Sequence, residues 1–186
     1  MTEVHQEREL IDRARNGSVD AFEGLMRLHQ DRLYRFLVVR GMSPSDAEDV
    51  VQEAFLSAFR YLGSYKTRWR FSTWLYTIAR RIASRLPQPA DPEVIPEMPD
   101  EPERHVAELQ QRGALWGMAR TVLSGEQFSA LWLFYGEDFD VAEISRVLDR
   151  SRSWVKVNLH RARNRLAEAL EDDDWGRSMS DEPIRT

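Results

Sequence analysis

Six of the chain's eight prolines fall within residues 87–103, a stretch that also holds six acidic side chains and no basic one. Each proline fixes φ and removes a backbone donor, so neither a helix nor a sheet ladder can run through it. Its like charges repel, and the expected state is a flexible, extended acidic linker. Folded structure must therefore form on one side of this segment or the other. On both sides the apolar residues recur at helical spacing, and no alternating strand pattern of useful length appears. The expected fold is all-α: two small helical domains, residues 1–86 and 104–170, joined by the linker and followed by a flexible acidic tail, 171–186.

The same division explains the charge. The formal net charge is −5, yet residues 1–86 carry 14 bases against 11 acids, and residues 104–170 carry 10 against 8. The linker and tail hold the whole negative excess, and the compact parts are mildly basic. The absence of cysteine excludes disulfides, and His5, His29, His105 and His160 show no metal-ligand spacing. No apolar run approaches the roughly eighteen residues of a membrane span, and the polar N-terminus lacks a signal-peptide core. A soluble, cytoplasmic chain without membrane insertion is expected. No nucleophile constellation, phosphate-cradling glycine loop or metal cluster is visible, so neither enzymatic activity nor a cofactor is expected.

In the first domain, Asn16-Gly17 ends a short helix and Ser18 caps the next. Phe22, Leu25, Met26, His29, Leu33, Phe36 and Leu37 then form a stripe, with His29 as a core residue, up to Gly41. Ser43-Pro44 starts a third helix with Val51, Ala54, Phe55, Ala58 and Leu62 inward. A fourth begins near Ser72 or Thr73, buries Trp74, Ile78 and Ile82, and ends before Pro87. In the second domain, Val106, Leu109, Trp116 and Leu123 suit one helix. Ser124-Gly125-Glu126-Gln127 then reads as a capping box opening a helix that buries Phe128, Leu131, Trp132 and Tyr135. A short helix from Asp140 buries Val141, Ile144 and Leu148, and Asp149-Arg150-Ser151 turns into a long helix with Val155, Leu159, Ala162 and Leu166 inward. Short helix, tight turn and longer basic helix describe a helix-turn-helix.

Three surface features carry chemistry. Between Arg150 and Arg165 there are six bases and no acid, and Arg152, Ser153, Lys156, Val157 and His160 face outward at the start of the long helix. That end of a recognition helix reaches base edges in the major groove, where Arg and Lys pair with guanine and Val157 can meet a thymine methyl. Arg161, Arg163 and Arg165 are placed to neutralise phosphates. A second basic zone, Lys66 to Arg85, again has six bases and no acid: Lys66, Arg68, Arg70, Arg80, Arg81 and Arg85. Its front half interleaves them with Tyr65, Trp69, Phe71 and Trp74, a pattern suited to stacking unpaired bases while cations hold the backbone. Third, Asp46, Asp49 and Glu53 share one helical face. Asp46 is explained by the helix dipole, whereas Asp49 and Glu53 suit either solvent or a basic protein partner.

The run Asp46-Ala47-Glu48-Asp49-Val50-Val51-Gln52-Glu53-Ala54-Phe55, followed by Phe71-Ser72-Thr73-Trp74-Leu75-Tyr76-Thr77-Ile78-Ala79-Arg80, resembles region 2 of bacterial RNA polymerase sigma factors. Val141-Ala142-Glu143-Ile144 and Leu159-His160-Arg161-Ala162-Arg163 resemble region 4. With only these two regions, the chain is most similar to the extracytoplasmic-function (ECF) group. The resemblance implies core RNA polymerase as partner, bound through Asp46, Asp49, Gln52 and Glu53 against the β′ clamp helices, with further contacts to the β subunit. It implies −10 promoter recognition and melting by Tyr65, Lys66, Arg68, Trp69, Arg70, Phe71, Trp74, Thr77, Arg80, Arg81 and Arg85. It implies −35 recognition by Arg150, Arg152, Ser153, Trp154, Lys156, Val157, Asn158, His160, Arg161, Arg163 and Arg165, with Asn158 a candidate for adenine readout. An anti-sigma factor is a further implied partner. Arg81 stands where the family usually has Asn, and Ser153-Trp154-Val155-Lys156-Val157-Asn158 replaces the common Gly-Thr-Val-Lys-Ser-Arg. Two other readings fit the residues: a stand-alone helix-turn-helix regulator, which leaves the Asp49/Glu53 face unexplained, and a polymerase-binding decoy.

Overall fold

The computed structural model describes residues 3–86 and 115–180, with side chains for 5–86 and 115–171. The linker 87–103, Val106, Leu109 and the last six residues lie outside that range. All regular structure among the described residues is helical.

α1 (Glu3–Arg15) and α2 (Val19–Val39) form an antiparallel pair. Gly17 makes the reversal at φ +92°, a value that favours glycine, and the Ser18 hydroxyl accepts from the Ala21 amide. Gly41, at φ +91°, closes α2, and Ser43 caps α3 (Pro44–Tyr61) by accepting from the Asp46 amide at 3.1 Å. A 3₁₀ turn, Leu62–Ser64, leads into a loop and α4 (Phe71–Ala83). His29 is buried as expected, and its Nε2 lies 2.7 Å from a Glu7 carboxylate oxygen. A buried imidazole thus finds a polar partner on α1.

Two helical faces are rotated from expectation. On α3 the buried residues are Ala47, Val50, Ala54, Phe55 and Ala58, with Val51 only half-buried. On α4, Phe71, Leu75, Tyr76, Ala79 and Ala83 are buried, while Trp74, Ile78 and Ile82 are half-buried. α4 begins a residue or two early, and its polar Ser72 and Thr73 are covered too. The cause is tertiary: α4 packs against α3 on one side and against a helix of the second domain on the other.

In the second domain, α5 (115–122) precedes α6 (Gly125–Tyr135), opened by the expected Ser124–Gln127 capping box. Phe128, Leu131 and Trp132 are buried, but Tyr135, expected inside, is 55% exposed at the helix end. α7 (Val141–Leu148) starts with a second capping box, Asp140 with Glu143, and buries Ile144, Val147 and Leu148, leaving Val141 half-buried. Asp149, in the left-handed region at φ 55°, turns the chain into α8 (Arg152–Ser180). Val155, Leu159 and Ala162 fix α8 on α6 and α7, with Leu166 half-buried behind them. The helix runs beyond Leu170 to Ser180, through residues assigned by composition to a tail.

The two domains pack directly on one another, forming one continuous buried cluster. The contact is α4 against α7 and the loop before it. The Tyr76 and Phe139 rings meet at 5.4 Å, and the Thr73 hydroxyl donates to Glu143 at 2.7 Å in a buried position.

Candidate nucleic-acid interface

The N-terminal half of α8 presents Arg152, Ser153, Lys156, Val157, His160, Arg161, Arg163 and Arg165 as exposed side chains. The inward anchors Val155, Leu159 and Ala162, spaced four and three apart, leave the other face free. No acidic residue lies in the first turn of α8, and the Ser151 hydroxyl accepts from the Trp154 amide. That helix end therefore presents cations and a partial positive charge in one direction. Two residues of the expected set behave differently. Asn158 is buried, and its amide donates to the Trp154 carbonyl at 3.0 Å, so adenine readout by Asn158 is withdrawn. Trp154 is half-buried under the Arg150 guanidinium, which also pairs with Glu126 of α6 at Nε to Oε1 3.2 Å. That carboxylate holds Arg150 more firmly protonated than usual.

The basic-aromatic zone of the first domain divides by burial. Lys66, Arg68, Arg70, Arg81 and Arg85 are exposed. Tyr65 and Phe71, expected to stack on unpaired bases, are core residues at 6% and 0% exposure. Their rings pack edge-to-face at 5.7 Å, and both touch Trp74. The Tyr65 hydroxyl donates to the Trp69 carbonyl at 2.6 Å, while Arg15 donates to the Tyr65 and Leu62 carbonyls. Burial, aided by Glu7, pushes the Tyr65 hydroxyl up to about 12. Both rings thus shape the loop from beneath, and Trp69 is left as its half-exposed aromatic, with Arg68 at 5.4 Å from its centroid. Spacing alone cannot separate a ring that supports a loop from one that tops it.

Trp69, Thr77 and Arg81 come together with Arg152 of α8 around a groove of about 330 Å³ between the domains, completed by Arg146 and Asp149. Arg146 was not singled out in the sequence, yet its guanidinium lies 5.1 Å from the Trp69 ring centroid. The buried Trp69 Nε1 and Arg80 Nε have no hydrogen-bond partner. Three acidic groups of the second domain meet this side of the first. Glu143 lies 3.9 Å from Arg70, Asp149 lies 3.5 Å from Arg80, and Glu137 lies 3.7 Å from Arg32. Glu137 is buried and accepts from the Trp132 indole at 3.3 Å. Burial pushes its carboxyl up, and Arg32 only partly opposes this. Tyr76, buried beside it, is held well above the usual phenol range.

On α3, Asp46, Asp49, Gln52 and Glu53 are all exposed. Leu56 and Phe59, at 54% and 48% exposure, continue this face toward the helix end, a feature their apolar character alone had assigned no role. The face is thus acidic at its start and apolar at its end. Among the described residues no cluster of His, Asp or Glu could hold a metal, and no helix is long and apolar enough to cross a membrane.

Residues 25–86 match the family described as Sigma-70 region 2, and residues 121–166 match Sigma-70, region 4. The chain is 32% identical over 176 residues to the ECF RNA polymerase sigma factor BldN of Streptomyces coelicolor, covering 89% of this chain and 66% of BldN. It is 32% identical over 102 residues to the RNA polymerase sigma-H factor of Pseudomonas aeruginosa, covering 52% of this chain and 53% of that protein. It is 25% identical over 192 residues to ECF sigma factor SigW of Bacillus subtilis, covering 87% and 95%. The chain thus spans just under two thirds of BldN and about half of sigma-H. The fold resembles CnrH in its complex with the cytosolic domain of CnrY, with a TM-score of 0.66, 23% identity, and 90% and 99% of the two chains covered. It also resembles the sigma factor RpoE of Bartonella quintana in complex with the anti-sigma factor NepR, with a TM-score of 0.60, 25% identity, and 82% and 98% covered. Regions 2 and 4 occur in the order and spacing their motifs require, and the chain belongs to the bacterial sigma-70 family, in its extracytoplasmic-function group.

Proposed function

We propose that the chain acts as an ECF sigma factor, bringing core RNA polymerase to promoters and starting transcription there without catalysing a reaction itself. The observation that carries this reading is the joint exposure of two faces on separate domains: the cationic start of α8 and the acidic face of α3. A duplex-binding regulator has use for the first alone. In this reading Arg152, Ser153, Lys156, Val157 and His160 read the −35 element while Arg161, Arg163 and Arg165 hold phosphates. Lys66, Arg68, Trp69, Arg70, Trp74, Thr77, Arg80, Arg81 and Arg85 engage the −10 element. Asp46, Asp49, Gln52 and Glu53, with Leu56 and Phe59, form the polymerase-docking face. The proposed domains are residues 1–86 and 104–170, with 87–103 as the connecting acidic segment. An anti-sigma factor is a fitting further partner, since RpoE, a relative in fold, is seen in complex with one. Transcription with purified core polymerase on a pool of genomic fragments tests the reading. Discrete start sites that depend on the added chain are expected, and their absence contradicts it.

A further inference from the structure

On α1, Glu7, Ile11 and Arg15 recur at a spacing of four and so share one face of the helix. Ile11 and the neighbouring Ala14 enter the core, and the polar residues at the two ends of this face hold the loop between α3 and α4. At one end, the Arg15 guanidinium donates to two loop carbonyls, from Nε to Leu62 at 3.5 Å and from Nη2 to Tyr65. It also lies 5.3 Å from the Tyr65 ring centroid. At the other end, Glu7 holds His29, whose ring meets Phe71 at 5.3 Å. Tyr65 carries the brace onward, because its hydroxyl donates to the Trp69 carbonyl at 2.6 Å. Resting on the functional reading above, we propose that Arg15 is a positioning residue for promoter opening, acting through Tyr65 to fix Trp69 where an unpaired base can stack.

The loop depends on these side chains because its own backbone offers little. The Tyr65 amide donates to the Leu62 carbonyl and the Trp69 amide to that of Lys66, each at 3.2 Å. The Tyr65 and Trp69 carbonyls are satisfied by Arg15 and by the Tyr65 hydroxyl instead. Trp69 Nε1 has no hydrogen-bond partner, so no polar contact of its own orients the ring. Arginine suits the bracing position, since its planar fork spans two carbonyls where lysine offers a point charge. Every one of these contacts lies within the first domain, and none of the proposed DNA contacts lies on α1. An effect of Arg15 on DNA must therefore pass through the loop.

The test uses holoenzyme formed from the full-length chain and core polymerase. Its DNA is a promoter fragment recovered from the transcription described above, with a fluorescent base analogue in the −10 element. Arg15→Lys keeps the charge and loses the fork, while Tyr65→Phe keeps the ring and removes only the hydroxyl. Each should leave core affinity and closed-complex affinity at the wild-type level. Each should slow opening roughly tenfold, because a displaced ring loses much of one base's stacking. In a Trp69→Ala background neither change should slow opening further, since the residue they position is gone. A merely structural role would instead lower the melting temperature, weaken both steps alike and add to Trp69→Ala. Circular dichroism and thermal melting establish the fold of each variant. If Arg15→Lys unfolds, Tyr65→Phe carries the test alone. Wild-type opening rates in folded variants, equal losses in both steps, or losses that add to Trp69→Ala overturn the proposal. A wild type that binds core yet opens no promoter refutes the functional reading instead.

Discussion

Lys156 and Asn158 stand two residues apart on α8, and only one faces outward. Lys156 is exposed beside Arg152 and His160, whereas Asn158 is turned into the helix and bonded to Trp154. Lys156→Ala should lower promoter affinity by ~1–3 kcal/mol and relax preference at one or two −35 positions, as read by binding-site selection. Arg163→Ala should weaken all sequences alike and flatten the salt dependence. The outward set was legible because Val155, Leu159 and Ala162 define the inward face by simple periodicity. Asn158 was not, because a polar residue near the edge of an apolar stripe can be satisfied either by solvent or by its own backbone. Glu137 is another residue whose role only packing discloses. Burial raises its pKa from the ordinary 4.5, so the folded protein holds this proton more tightly than the unfolded chain. The associated stability is present below the ordinary carboxylate range and is lost as pH rises through the raised value. Glu137→Gln carries no such loss. The melting temperature of Glu137→Gln minus that of wild type should therefore grow from pH 4.5 upward, and a pH-independent difference would argue against a carboxyl raised by burial.

At the scale of elements, start signals were read well and faces less so. Ser18, Ser43 and Ser124 cap their helices as their sequence context implies. Asp140 does the same for α7, and Asp140→Ala should cost about 1 kcal/mol in chemical denaturation. The α4 face was misjudged because it has two neighbours, and a single-stripe pattern cannot represent a helix covered on both sides. The same argument redistributes the aromatic loop. With Tyr65 and Phe71 in the core, Trp69 and Trp74 are the half-buried rings of the proposed −10 set, and Trp69 is the one in the loop. Trp69→Ala should depress permanganate reactivity of −10 thymines more than it depresses closed-complex formation. Equal losses in the two steps would make Trp69 a packing residue.

For the whole molecule, the all-α class and the division by a proline-rich acidic segment follow from composition and periodicity, because both are local properties of the chain. The packing of one domain on the other joins residues some seventy positions apart, such as Thr73 and Glu143, and no local pattern announces it. The proposed polymerase-docking face nevertheless lies outside that contact. Asp49 and Glu53 are exposed on α3, opposite the buried Val50, Ala54, Phe55 and Ala58. Changing them should alter stability by less than ~0.5 kcal/mol. Truncating or reversing charges at the centre of an interface, by contrast, can cost ~2 kcal/mol or more in binding. Titration of labelled Asp49→Lys/Glu53→Lys protein with core RNA polymerase, beside wild type, therefore tests the account most directly. Wild type should bind core, and the double variant, with an unchanged helical spectrum, should bind at least ~30-fold more weakly. Equal affinity in a folded double variant would contradict the docking face, and a wild type that fails to bind core would contradict the sigma-factor function itself.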